Sequence, residues 1–273
     1  MCCFKFPVGI QNFIEQAYFI KMKEIKIFDK NLDSEFKSEL TKLIQNFDSI
    51  KGGEGDRNII KIVKLKASNL NIKAFKIPNI VNKIAYNFFR KSKAQRSFEY
   101  ANKLIALKVG TPKPIAYFEY KSLFLFNKSF YVSEQLDCDL TYRELTKKFD
   151  YPDYDEMLRA FTRFTYSLHK KGIHFLDHSP GNTLIKRHGD SYDFYLVDLN
   201  RMNFGILDFE TRIKNFSRLT THKFMVETMS EEYAKCTGED YNKIFNLMWR
   251  ETEEFQQKFH RKKRLKKKFK LKK

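Results

Sequence analysis

Glycine, proline and tryptophan are scarce in this chain of 273 residues, at ten, six and one. That scarcity excludes collagen-like and proline-rich architectures, which need those residues in bulk. The four cysteines, Cys2, Cys3, Cys138 and Cys236, form no C-x-x-C pair and no zinc-ligand spacing. Neither a disulfide framework nor a structural zinc site is expected, and a reducing cytoplasm is. No apolar run is long enough to span a bilayer. The first twenty residues are interrupted by Gln11, Asn12, Glu15 and Gln16, so they lack the apolar core of a signal peptide. Any membrane contact is therefore expected to be peripheral. Acidic residues are also outnumbered, 33 against 52 Lys and Arg. The resulting net charge of +19 favours polyanionic partners: nucleic acid, anionic lipid or phosphorylated substrates.

What is present is a chain built to fold. Hydrophobic residues make up 42% and aromatics 16%, with 28 phenylalanines, which is enough for a large aromatic core. The length suits one two-lobed unit or two small domains. Met22-Lys-Glu-Ile-Lys-Ile-Phe28 reads as a natural start followed by a strand; on that reading residues 1–21 are an extension ahead of the true initiator. Residues 34–47 have helical periodicity, with Phe36, Leu40, Leu43, Ile44 and Phe47 on one face. The polar turn Lys51–Arg57 leads to the apolar run 59–65. A second turn at 67–69 leads to 70–77, and the whole reads as a β-meander. A Ser92 cap opens a helix over 92–108, Thr111-Pro-Lys-Pro114 breaks the chain, and three apolar runs follow at 115–119, 122–126 and 129–135. The second half reads as mostly helical. Its clearest helix is 155–171, with Met157, Leu158, Phe161, Phe164, Thr165 and Leu168 on one side and Gly172 as the stop. The expected organisation is an extension at 1–21, a β-rich lobe with one long helix at 22–135, a helical lobe at 136–259 and a polybasic tail at 260–273. The tail, His260 to Lys273, reads either as an anion-binding segment that Leu265, Phe269 and Leu271 help to dock on lipid, or as a solvated disordered end.

The chemistry concentrates in His174-Phe-Leu-Asp177-His-Ser-Pro-Gly-Asn182 and Tyr195-Leu-Val-Asp198. Phosphoryl transfer from a nucleotide needs one Asp to orient and deprotonate a hydroxyl, and an Asn plus an Asp to hold Mg²⁺ on the phosphates. The three groups share one rim if 183–186 and 194–197 pair as a hairpin through Gly189-Asp190. Asp177 is the expected catalytic carboxylate, Asn182 and Asp198 the expected metal ligands, and His174 a brace for the loop. On the strand 70–77, Lys73 is expected to neutralise phosphate oxygens, with Lys76 as the alternative on the opposite face, and Glu99 on the helix 92–108 to orient it. Gly52-Gly-Glu-Gly55 offers backbone N–H groups, Gly53 and Gly55 among them, as a phosphate cover. It reads equally as a plain hairpin turn, and it is no P-loop, because G-x-x-x-x-G-K-[ST] is missing.

These elements stand in the order of the protein-kinase-like superfamily. Phe75-Lys-Ile-Pro-Asn79, Ser92–Ala101, Thr111-Pro-x-Pro114, Asp177-His-Ser-Pro-Gly-Asn182 and Val197-Asp-Leu-Asn-Arg201 resemble the bacterial lipopolysaccharide core kinases, the Kdo/heptose kinase family, over roughly residues 22–257. The resemblance implies an α+β, bilobal protein-kinase-like fold that uses ATP and Mg²⁺. It implies γ-phosphate transfer to a sugar hydroxyl of the lipid A–inner core at the cytoplasmic face of the inner membrane. It places a hinge near Glu134-Gln-Leu136, whose backbone would meet adenine. The chain departs from protein kinases in three ways: Phe175 and Leu176 separate His174 from Asp177, Leu199-Asn200 stands in place of Phe-Gly, and no Ala-Pro-Glu follows. These departures argue against a protein substrate. Another small-molecule or protein kinase of this fold is the first alternative, and a basic nucleic-acid-binding protein is the second. A nucleic-acid partner is disfavoured because it would leave Asp177, Asn182 and Asp198 idle.

Overall fold

A computed structural model describes residues 23–53, 58–76, 90–121, 126–189 and 191–270. The expectations for residues 1–21 and for Gly55 lie outside these. The chain divides into two compact units, one of residues 1–99 and 113–135, the other of 100–112 and 136–273.

The first unit holds a five-stranded antiparallel sheet. Its strands are β1 (Lys23–Phe28), β2 (Asn58–Leu65), β3 (Ser68–Phe75), β4 (Pro114–Lys121) and β5 (Phe126–Glu134), in the order β1-β4-β5-β3-β2. Helix α1 (Ser34–Gln45) begins where the Asp33 carboxylate accepts from Phe36 N at 2.7 Å, an N-cap that satisfies an otherwise orphan donor. Its Phe36, Leu40 and Ile44 bury against Leu70, Ile72, Phe118 and Val132 on one face of the sheet. Helix α2 (Lys93–Ala106) is capped as expected by Ser92, whose Oγ accepts from Gln95 N at 3.0 Å. Ala94 and Phe98 of α2 pack with Phe75 and Tyr117 on the other face.

The expected meander is interrupted. β2 and β3 form a hairpin, but β3 then pairs with β5, in the register Lys73↔Tyr131, while β4 lies between β5 and β1. The turn falls at Lys66–Ala67, one residue earlier than expected. Of the three runs after Pro114, the first and third become β4 and β5, and 122–125 lie outside the described residues. Of the glycine turn only Gly52 and Gly53 are described, and β2 has only β3 as a ladder partner among the described residues. The segment before the turn is tied to β2 by Lys61, a buried lysine whose Nζ donates to Phe47 O (2.9 Å) and Ile50 O (2.5 Å). The chain then passes tightly over β2 with φ +102° at Gly53, where a Cβ would press on Ile59 and Lys61 at 2.9 Å.

The second unit carries β6 (Leu140–Thr141), α3 (Tyr142–Leu145), α4 (Tyr154–Lys170), β7 (Ile173–Phe175), β8 (Thr183–His188), β9 (Ser191–Leu196), β10 (Met202–Phe204), α5 (Phe209–Lys214), α6 (Lys223–Thr237) and α7 (Tyr241–Lys270). Helix α4 buries Met157, Leu158 and Phe161 against Met225, Met229 and Tyr233 of α6 and Ile244 and Met248 of α7, and Thr165 and Leu168 are buried on the same helix. It stops at Gly172, whose φ of +68° and contact with the Gly205 carbonyl leave no room for a side chain. Helix α7 corrects the expected boundary at 260. Lys and Arg are good helix formers, Glu254 pairs with Lys258 one turn on, and cations suit a helix C-terminus, so the helix runs on through Lys270.

Two buried imidazoles lock α4 to the segments C-terminal to it. His169 lies between the Tyr233 hydroxyl (Nδ1, 2.9 Å) and the Asn215 carbonyl oxygen (Nε2, 3.2 Å). Asn215 Oδ1 can only accept, so Nε2 carries the proton. Asn215 in turn donates from Nδ2 to Phe175 O at 2.9 Å. His178 stacks on Phe161 at 5.5 Å and lies 3.3 Å from the Thr165 hydroxyl. Burial holds both rings neutral, His178 down to about 3 and His169 to about 4. An unfolded histidine titrates near 6.5, so between that pH and 4 the unfolded chain binds more protons and stability falls with acidification. At pH 5 each ring should contribute a loss of about 2 kcal/mol. The fall in Tm between pH 6.5 and 4 should be shallower in His178→Phe than in the wild type; equal slopes would contradict this account.

Candidate active site

The loop after β7 is built by short-range geometry. β7 pairs antiparallel with β10, in the register Phe175↔Met202, and Leu176 N donates to Arg201 O at 3.1 Å. The chain then turns twice, with His178 N on Phe175 O (3.1 Å) and Asn182 N on Ser179 O (2.9 Å). Pro180-Gly181 occupies the second turn, and a Cβ on Gly181 would run into the Arg143 guanidinium. The Asp177 carboxylate emerges at the first turn with its side chain 16% exposed. Its Oδ1 accepts from Arg201 Nη1 at 3.0 Å and from Arg218 Nη1 at 3.1 Å. The same Arg218 nitrogen donates to Leu176 O at 2.9 Å. Oδ2 accepts no hydrogen bond among the described residues.

Asn182 and Asp198 flank the same end of the β8–β9 hairpin, whose strands pair as the spacing anticipates. The register Thr183↔Leu196 is extended by Val197 N on Asn182 O at 3.0 Å. Asn182 Nδ2 donates to Asp177 O at 2.8 Å, so that bond uses the nitrogen and not the oxygen of its carboxamide. Asp198 has φ +59°, a left-handed conformation that non-glycine residues adopt rarely and at a cost of roughly 1–3 kcal/mol. Asn200 Nδ2 donates to its Oδ1 at 2.7 Å. The hairpin itself is pinned by residues 110–111. Leu196 N donates to Gly110 O (2.9 Å) and Thr111 Oγ1 donates to Leu196 O (2.8 Å). A Cβ on Gly110 would collide with the Phe194 carbonyl, so the position requires glycine.

An amide oxygen and a carboxylate at the same end of one hairpin suit Mg²⁺, which is held by one or two protein oxygens with phosphate and water completing the octahedron. They do not suit a transition metal, and the described residues contain no group of three or more His, Cys, Asp or Glu able to hold one.

In the first unit, Lys73 alternates with buried Ile72 and so shares the α2-facing side of β3 with Phe75, whose ring centroid is 5.4 Å from its Nζ. Lys76 lies beyond the end of β3 and is exposed. Glu99 is held by Lys91 at 2.7 Å and by Gln95 at 3.0 Å. Glu134 ends β5 paired to Lys113 at 3.1 Å, and Leu136 opens the main segment of the second unit.

The brace expected of His174 comes from elsewhere. The loop carbonyls at 175 and 176 are held by Asn215 and Arg218, whereas burial lowers the pKa of the half-buried His174 ring, an effect that Asp208 opposes. Arg218 and Asn215 escaped the sequence reading because about forty residues separate them from the loop and no local pattern marks them. Arg201 stood inside a quoted motif without a role.

Comparison with known proteins now bears on this geometry. The family model of lipopolysaccharide kinases (Kdo/WaaP) matches residues 48–246, a stretch that includes Lys73, Glu99, Asp177, Asn182 and Asp198. Among solved structures, WaaP in complex with acyl carrier protein superposes with a TM-score of 0.59 at 14% identity, over 84% of this chain and 98% of that one. Rio2 kinase from Chaetomium thermophilum, in its ADP/Mg²⁺-phosphoaspartate complex, aligns with a TM-score of 0.45 at 14% identity, over 88% of this chain and 76% of that one. No curated protein matches the sequence. The fold is protein-kinase-like. With well over half of its length matched by the family model, the chain belongs to the lipopolysaccharide kinase (Kdo/WaaP) family.

Proposed function

We propose that this kinase transfers the γ-phosphate of ATP to a hydroxyl of an inner-core sugar of lipopolysaccharide, Kdo or heptose, at the cytoplasmic face of the inner membrane. The observation that carries the reading is the asymmetry of Asp177. Two arginines hold Oδ1 while Oδ2 is left for the acceptor, next to the Asn182–Asp198 pair. The acceptor hydroxyl donates to Oδ2. As its oxygen bonds to the γ-phosphorus, the bond to the β–γ bridging oxygen breaks, ADP leaves with that electron pair, and the proton passes to Asp177. Asn182 and Asp198 would hold Mg²⁺, which when bound neutralises charge on the phosphate oxygens. Lys73 neutralises the α- and β-phosphates and Glu99 orients it; its place on the α2 side of β3 favours it over Lys76. Backbone N–H groups near Gly53 cover the phosphates, and the backbone at Glu134–Leu136 receives adenine.

The acceptor lipid stays in its bilayer, so the enzyme must come to it. Helix α7 is exposed from 257 to 268 and carries eight lysines and arginines between 258 and 268. Near an anionic surface each contributes roughly 1 kcal/mol. No described helix is long and apolar enough to cross a membrane.

With ATP, Mg²⁺ and Kdo–lipid A, the wild type should add one phosphate to the lipid, read by mass, and Asp177→Asn should slow that step roughly 100- to 10,000-fold. Nucleotide turnover without lipid product would reassign the acceptor. Removal of residues 260–273 should reduce sedimentation with phosphatidylglycerol vesicles at physiological salt. Unchanged sedimentation would exclude the tail as the anchor.

A further inference from the structure

The charge around Asp177 does not balance. One carboxylate faces two guanidiniums on a single oxygen, so the trio carries one net positive charge where the acceptor must sit. The two arginines are also not equivalent. Arg218 is the more enclosed, 35% exposed: its Nη1 bridges Leu176 O and Asp177, its guanidinium lies over the Phe255 ring at 5.5 Å, and its Nε is buried. That residue alone can fix the carboxylate. Arg201 is 55% exposed, and among the described residues its side chain makes one hydrogen bond, to Asp177 Oδ1. Its backbone is nonetheless fixed, because its carbonyl accepts from Leu176 N and the next residue enters β10. A cation on a rigid base with its head in solvent beside the reacting oxygen is placed to bind an anion rather than to brace a loop. Lys73 and the Asn182–Asp198 pair already serve the nucleotide phosphates in the proposed reaction, so the unmatched charge falls to the acceptor.

We infer that Arg201 is a specificity-determining residue that binds a carboxylate on the acceptor sugar, close to the hydroxyl presented to Asp177 Oδ2. The planar fork of a guanidinium matches a carboxylate through two parallel hydrogen bonds, and the head can retain Asp177 through Nη1 while its other nitrogens turn to the ligand. The enzyme is then selective for an acidic sugar, Kdo, over a neutral heptose. This inference rests on the sugar-kinase reading above and names the acceptor within it.

The test compares Kdo–lipid A with the same lipid carrying its Kdo carboxyl as the methyl ester, using the wild type, Arg201→Gln and Arg218→Gln. The wild type should prefer the acid by roughly 10- to 100-fold in kcat/KM, the span of one hydrogen-bonded charge pair. Arg201→Gln should bring that ratio close to one, chiefly through a raised acceptor KM. Arg218→Gln should lower turnover of both acceptors and keep the ratio. A ratio in Arg201→Gln equal to the wild-type ratio, or an increase in the KM for ATP in place of the acceptor KM, overturns the assignment of Arg201 alone. A wild-type enzyme that phosphorylates neither lipid overturns it together with the sugar-kinase reading.

Discussion

The Asp177 carboxylate is held by one oxygen, and much of the second unit is organised around that grip. Hydrogen bonds to a charged group are worth about 1.5–3 kcal/mol each, more than an average neutral one. They are useful here only if the donors cannot drift. Arg218 is fixed by Leu176 O and Phe255, and the Arg201 backbone by the bond its carbonyl accepts from Leu176 N. The loop backbone beneath is tied through Asn215 and His169 to Tyr233, and so to the buried helices α4 and α6. A carboxylate so restrained presents its second oxygen in one direction, and a reacting hydroxyl needs that constancy more than it needs a strong base. The left-handed backbone at Asp198 belongs with this arrangement, because a conformation of that cost persists only where its surroundings impose it.

Local signals were readable and distant ones were not. The β8–β9 hairpin, the Ser92 cap and the helix ending at Gly172 each depend on residues within a few positions, and each stands where periodicity and turn chemistry placed it. The spacing from Asp177 to Asn182 and Asp198 was legible for the same reason: a turn and a two-stranded ladder set it. The pairing of β3 with β5 across helix α2 could not be read, since no local pattern distinguishes it from a meander. Nor could the buried Lys61 that ties the segment before the glycine turn to β2, because its partners are carbonyls at 47 and 50 rather than side chains. Lysine and arginine runs are compatible with both helix and disorder, so the helical state of 260–270 depended on continuity with the packed part of α7.

The departures from the protein-kinase pattern now have a physical content. In this chain Leu176 precedes the Asp177 carboxylate, and the positive charge beside that carboxylate comes from Arg201 and Arg218, just before β10 and after α5. Asn200, where protein kinases have glycine, donates to Asp198. The Asp177–Asn182–Asp198 spacing is therefore kept while the groups around it differ.

The measurement that tests the central claim most directly is divalent-ion binding at the hairpin end, monitored by the EPR signal of free Mn²⁺ titrated into protein with a non-hydrolysable ATP analogue. If the second unit holds a phosphoryl-transfer centre, the wild type should bind Mn²⁺ together with the analogue. Asp198→Asn should weaken that binding roughly tenfold or more and leave metal-free analogue binding within about twofold. Equal Mn²⁺ affinity in the two proteins would contradict the assignment of Asp198 as a metal ligand, and with it the proposed chemistry of the site.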